Sequence, residues 1–261
     1  MTAQAHAVPV TSSGRDTGQD PRTGTPYPAV PHTSPEEVSR LVAAAAGSAP
    51  LIASTAPAVR ATWLESIAAS MEEHADELVA LADAETALGE DRLVGELAKT
   101  AASLRFYGSV AVDGGFLQAT IDSVGGPTPF DLRRMRLPVG PVAVFGASNF
   151  PFAFGVLGHD TASAIAAGCP VVVKVHSAQP RLGVRLGEIA QAAAAQSGAP
   201  AGLFAVVVGR SAGLVLVGAA PIAAVAFTGS QSGGMAWSSE QVSGTSRSRC
   251  SQRREPSTRP W

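Results

Sequence analysis

Cysteine is nearly absent. Only Cys169 and Cys250 occur in 261 residues, in unrelated contexts, which argues against a disulfide framework or a thiolate zinc site. Lysine is equally scarce, with Lys99 and Lys174 set against seventeen arginines. Charged residues make up only 15% of the chain and the net charge is −2, so no basic surface is expected for nucleic acid or an anionic membrane. No apolar run approaches the ~18 residues needed to span a bilayer. The N-terminus lacks the basic region and apolar core of a secretory signal. These absences leave the cytoplasm as the expected location. What is abundant is apolar: 46% of the residues, enough for a substantial core in one large domain or two small ones.

Three regimes follow one another. Residues 1–33 are rich in Thr, Pro, Gly and Ser with few aliphatics, a composition expected to be disordered. Ser34-Pro35-Glu36-Glu37 then reads as a helix start, with Ser as N-cap, Pro in the first turn and Glu37 completing a capping box. Residues 34–130 read as a helical part, with helices around 34–46, 57–73, 74–87 and 91–112. Trp63, Leu64, Ile67 and Met71 repeat at helical spacing and are expected in a core. Residues 114–129 read as a Gly/Pro-rich connection. From 131 to 237 short apolar runs alternate with helices, the pattern of parallel βαβ units.

The most informative stretch is 137–154. The run Val142 to Phe145 reads as a buried strand that breaks into Gly146-Ala147-Ser148-Asn149-Phe150-Pro151. Gly146 permits an abrupt turn, and Pro151 pushes Phe150 away from helical angles. Asn149 is thereby placed on a loop at the carboxyl end of a central strand, where open α/β sheets bind ligands. A side-chain amide there can donate a hydrogen bond to a developing oxyanion, although Asn is also an ordinary turn residue. Further on come Cys169-Pro-Val-Val-Val-Lys174, the strand from Phe204, and a strand ending in Phe227-Thr228-Gly229-Ser230.

This order of strand, Asn-Phe-Pro loop, strand ending in Lys and strand ending in Phe-Thr-Gly-Ser resembles the aldehyde dehydrogenase superfamily, over roughly 33–237. Phe-Gly-Ala-Ser-Asn-Phe-Pro, with Asp131-Leu-Arg-Arg-Met135 before it and Asp160-Thr-Ala-Ser163 after it, resembles the α-ketoglutarate semialdehyde (2,5-dioxovalerate) dehydrogenase branch. The resemblance implies a Rossmann-like parallel sheet with helices on both faces behind a helical N-terminal region. It implies NAD or NADP as cofactor, an aldehyde as substrate and homo-oligomeric assembly. By motif match Asn149 is the oxyanion donor. Lys174 is placed to bond the adenosine ribose, with His176 and Ser177 approaching the 2′ position. Phe145, Gly146, Ala147, Ser148, Gly209, Phe227, Thr228, Gly229, Ser230 and Gly234 complete the expected cofactor site. No acidic residue lies between Lys174 and Gln179 to repel a 2′-phosphate, which leaves NADP open beside NAD. Gly229 to Gly234 has the spacing Gly-x-x-x-x-Gly rather than Gly-x-Gly-x-x-Gly; a Gly turn opening a helix still offers free N–H groups to phosphate.

Two signals compete. Gly209-Arg210-Ser211-Ala212-Gly213 matches a hydrolase elbow, but no Asp or His follows Ser211, so a triad in that order cannot be completed. Residues 238–261 hold seven Ser, five Arg and one aliphatic residue, Val242, and are expected to be a disordered tail outside the family pattern. That change of composition is the pattern of out-of-frame translation of a GC-rich gene. In the family a Cys thiolate attacks the aldehyde and a Glu activates the hydrolytic water. Here Cys169 reads as a packing residue and Cys250 lies in the tail, so the expectation is a truncated, inactive portion of such an enzyme without its catalytic domain. The alternative is a non-catalytic nucleotide-binding or subunit-interaction fragment.

Overall fold

A computed structural model describes residues 14–126, 128–229 and, as backbone, 249–254. Four helices come first: α1 (Pro35–Ser54), α2 (Pro57–Glu73), α3 (Ala75–Thr86) and α4 (Glu90–Asp113). They are preceded by β1 (Arg15–Asp16) and β2 (Val30–Pro31), which pair with each other. After α4 come an antiparallel pair, β3 (Thr120–Val124) and β4 (Phe130–Arg134). The sheet then alternates with helices: β5 (Val142–Phe145), α5 (His159–Ala166), β6 (Val171–Lys174), α6 (Pro180–Gln196), β7 (Phe204–Val207), α7 (Arg210–Gly218) and β8 (Ala224–Gly229). Its strand order is β7-β6-β5-β8-β9, all parallel, with β9 formed by Arg249–Arg254. The expected Rossmann-like sheet with helices on both faces is therefore what the chain adopts.

Alternation along the strands sorts the side chains into two layers. Val142, Val144, Val171, Val173 and Phe204 face a core shared with α2, α4, α5 and α6. Ala143, Phe145, Val172, Ala205, Val207 and Val225 face α1 and α7 on the other side. The period-two pattern explains the arrangement, since successive side chains leave opposite faces. Trp63, Leu64, Ile67 and Met71 are buried in the first core, as their helical spacing predicts. The helical part thus has no core of its own; α2 packs on α4 and also on α6. Gly183 and Gly187, one turn apart on α6, let that helix lie against the sheet. A Cβ on Gly183 would meet Val175 Cγ1 at 2.3 Å, and one on Gly187 would meet Val206 Cγ2 at 2.7 Å.

Three expectations need correction. Residues 14–33 are not disordered: Arg22 forms a two-pronged ion pair with Asp83 at 2.9 Å, Tyr27 Oη donates to the Ala84 carbonyl at 2.9 Å, and Thr33 bonds Val208 in both directions. A polar segment with little apolar surface is held here by specific pairs and by the free edge of β7. Residues 1–13 lie outside the described residues. The connection at 114–129 contains β3, and residues 120–134 make a hairpin; the alternation Thr-Ile-Asp-Ser-Val and Phe-Asp-Leu-Arg-Arg is a strand pattern that the Gly/Pro content obscured. Within the tail, residues 249–254 pair with β8, because backbone ladders on an open edge depend little on side-chain polarity.

Candidate active site

The order β7-β6-β5-β8 means the chain runs outward from β5 in one direction and returns on its other side. Such a reversal opens a crevice at the carboxyl ends of the strands, the usual ligand position in α/β sheets. Register places the expected residues in one row there: Phe145 stands opposite Lys174 on one side and Phe227 on the other, and Lys174 stands opposite Val207. Four residues beyond Phe145 is Asn149, exposed on the loop that follows β5.

That loop is braced from several directions. Ala147 N–H donates to Phe154 O at 2.8 Å, and Phe154 N–H to Phe150 O at 3.0 Å. Gly146 is required because a Cβ would lie 2.8 Å from Phe154 O. Gln179, buried at the start of α6, donates to Ala147 O at 3.3 Å. From α4, Glu96 accepts the N–H groups of Phe152 and Ala153 at 2.9 and 3.0 Å, and Arg92 donates to Asn149 O at 2.7 Å. The backbone carrying the Asn149 amide is therefore held on both sides. Ser148 is half-buried on the same loop.

Lys174 lies partly buried at its strand end. Burial lowers its ammonium pKa from the usual lysine value; Asp16 opposes this and Arg210 adds to it. Its ammonium makes no hydrogen bond or ion pair with the described residues. His176 is pushed below the usual imidazole value by burial and by Lys174, against the pull of Asp16, and its Nδ1 accepts Ala178 N–H at 3.1 Å. Ser177 is exposed. Gly209 has φ +101°, a conformation that favours glycine, and a Cβ there would run into the His32 ring at 2.5 Å. Thr228 is buried and donates to Asp160 Oδ2 at 2.9 Å, tying β8 to the first turn of α5. Gly229 ends β8 against the Phe227 ring. Ser230 and Gly234 lie outside the described residues.

An acidic group does reach this corner, although none occurs between Lys174 and Gln179. Asp16 acts on both Lys174 and His176, and its Oδ1 lies 2.9 Å from His32 Nε2. The sequence reading missed it because it comes from the segment before α1. Glu96 and Glu85 were missed too. Glu85, on α3, accepts Arg181 and Leu182 N–H at 3.1 and 2.9 Å, capping α6 from another helix. Each is a carboxylate on the buried stripe of its helix, a signal visible beside Leu93 and Leu97 or Leu78 and Ala82. Cys169 is buried, as a packing residue should be. Among the described residues no cluster of metal-ligating side chains is found.

The loop, the lysine-ended strand and the Phe-Thr-Gly strand sit in one fold, and residues 11–247 match the aldehyde dehydrogenase family; the chain belongs to that family. The match runs past Trp237, where the sequence reading ended it. Over 185 residues the chain is 48% identical to alpha-ketoglutaric semialdehyde dehydrogenase 2 of Azospirillum brasilense, covering 69% of this chain and 35% of that protein. Over 181 residues it is 41% identical to alpha-ketoglutaric semialdehyde dehydrogenase of Acinetobacter baylyi, covering 68% and 34%. The chain thus spans about a third of the length of these curated relatives. A NAD-dependent benzaldehyde dehydrogenase from Corynebacterium glutamicum superposes with a TM-score of 0.80 at 23% identity, over 95% of this chain and 52% of that one. An NADP dependent enzyme of E. coli does so at 0.78 and 24% identity, over 92% and 48%. These two likenesses describe the fold.

Proposed function

We propose that the chain is the cofactor-binding part of an NAD(P)-dependent aldehyde dehydrogenase acting on α-ketoglutarate semialdehyde. The observation that carries this reading is the row Phe145–Lys174–Phe227 at the reversal of the sheet, with the braced Asn149 loop beside it. The substrate comes from the identity to the two semialdehyde dehydrogenases.

A nicotinamide nucleotide suits what is present: an ammonium with no hydrogen bond or ion pair among the described residues, and a glycine at φ +101° two residues beyond Val207, the strand residue opposite Lys174. Lys174 would bond a ribose hydroxyl, and Ser177 and His176 would stand near the 2′ position. The bound nucleotide supplies the hydride acceptor. Asn149 would donate its amide N–H to the aldehyde oxygen as negative charge builds there, a contribution worth about 2.7–4 kcal/mol where such donors have been removed. Arg92 and Glu96 hold that loop and so spare the amide a search for its position. Asp16 opposes the lowering that burial imposes on the Lys174 ammonium.

By the resemblance, the thiol nucleophile and the base lie downstream of the Phe-Thr-Gly-Ser strand. The 261 residues are read as binding nucleotide without turning over aldehyde. The exposed Val124, Phe130 and Leu132, which share one face of the β3–β4 hairpin, are the surface we assign to contact between subunits. The reading places the protein in the cytoplasm; no helix among the described residues is long and apolar enough to cross a membrane. Calorimetric titration of the chain with NAD and with NADP tests the proposal. Saturable binding of either supports it, and binding of neither contradicts it.

A further inference from the structure

A cleft of about 640 Å³ opens between α4 and the loop that carries Asn149, lined by Arg92, Glu96, Lys99, Phe150, Phe154 and His159. Arg92, Glu96, Lys99 and Ser103 follow one another at three- and four-residue steps, so they lie along one face of α4. Their roles differ. Glu96 is spent on the N–H groups of Phe152 and Ala153. Arg92 is spent on Asn149 O and stacks over the Phe150 ring, 5.0 Å from its centroid. The ammonium of Lys99 has no hydrogen bond or ion pair with any described residue. The other acid on the cleft wall, Asp91, is eight residues earlier on α4, about 12 Å along the axis at 1.5 Å per residue.

A cation with no described partner, in an aromatic-walled cleft next to the Asn149 loop, suits a substrate with two ends. We propose that this cleft receives the far end of the substrate and that Lys99 reads a carboxylate there, making the site selective for short aldehyde acids over neutral aldehydes. The inference rests on the oxyanion role given to Asn149 above. Lys99 is exposed at the mouth of the cleft, so its ammonium is free to meet a carboxylate that arrives from solvent, while Phe150 and Phe154 offer apolar contact to the carbon chain between the two ends. The aliphatic stem of the lysine also lets its head move to meet chains of different length.

The test uses the 261-residue chain and amide NMR, with glutarate as the charged probe and glutaramide as its neutral counterpart. Glutarate is expected to shift the amides of Ala153 and Lys99 saturably, with glutaramide at least tenfold weaker. Lys99→Met should weaken glutarate by tenfold or more, and Lys99→Arg should keep it within a few-fold. Equal binding of the two probes, an unchanged Lys99→Met, or shifts scattered over the surface would each overturn the assignment. Titrating the same samples with NADPH separates the two readings. Nucleotide binding without discrimination between the probes sinks the Lys99 assignment alone. Discrimination without nucleotide binding leaves Lys99 standing and sinks the cofactor reading.

Discussion

Glu96 on α4 accepts the backbone N–H of Phe152 at 2.9 Å, across a separation of 56 residues, and so ties the helical part of the chain to the loop that holds Asn149. The same oxygen takes Ala153 N–H, while Oε2 is buried without a partner. Removing the carboxylate strands one buried and one partly buried donor. Glu96→Ala is expected to cost about 2–3 kcal/mol of stability, since hydrogen bonds to a charged acceptor are individually worth about 1.5–3 kcal/mol. Glu96→Gln, which keeps an acceptor, should cost less. Urea unfolding of the two variants checks this; equal stability of Glu96→Ala and the parent would show that the tether carries no load.

Gly183 faces Val175 Cγ1 at a distance no Cβ can share. Gly183→Ala should push α6 off β6 and cost about 1–3 kcal/mol by overpacking, despite the better helix propensity of alanine. Gly47 and Gly218, with open space around the added Cβ, provide the controls. Thermal unfolding of Gly183→Ala below both controls is the expected order.

How much of this was legible in sequence varies with the kind of interaction. Val142–Phe145 and Val171–Val173 stood out because short runs of four and three apolar residues directly after a Gly/Pro signal leave little alternative to a buried strand. Asn149 and Lys174 could be placed at strand ends for the same reason. The β3–β4 hairpin was hidden because the Gly and Pro residues between its strands read as a connection, and because both of its faces are exposed rather than packed on the core. Asp16 and His32 were invisible because the approach of Asp16 to Lys174 and of His32 to Gly209 is set by tertiary packing of a polar segment. Glu85 and Glu96 were visible only as polar interruptions in apolar stripes.

Acid should weaken the fold through His176. Burial and Lys174 hold its pKa below the usual imidazole value, with Asp16 pulling the other way. The unfolded chain therefore binds the proton first, and stability falls as pH drops below about 6.5, levelling off once the folded imidazole is protonated too. Glu85 acts oppositely in a lower window: burial raises its carboxyl pKa, so protonation there favours the folded state. The difference between the parent and His176→Gln isolates the histidine. Unfolding free energies at pH 7 and pH 5.5 should fall less in His176→Gln than in the parent; an equal fall would contradict the assignment.

The β3–β4 hairpin exposes Val124, Phe130 and Leu132 on one face, the last two more than half accessible. The chain is expected to self-associate through it. Phe130→Lys with Leu132→Lys should shift the light-scattering mass toward that of one 26.4 kDa chain without changing the circular dichroism. A monomeric parent would show that the hairpin does not suffice for contact.

The central claim is that Lys174, at the reversal of the sheet, binds nucleotide. The most direct measurement is NADPH fluorescence titration of the parent and of Lys174→Ala across pH 7 to 10. Saturable binding by the parent, weakened about tenfold or more in Lys174→Ala, is the predicted result. The parent's affinity should also fall with rising pH before the ordinary lysine pKa is reached, because burial lowers that of Lys174 and only its protonated form attracts the ligand. A parent that binds no NADPH, or a Lys174→Ala variant that binds it as tightly and with the same pH profile, would contradict the account.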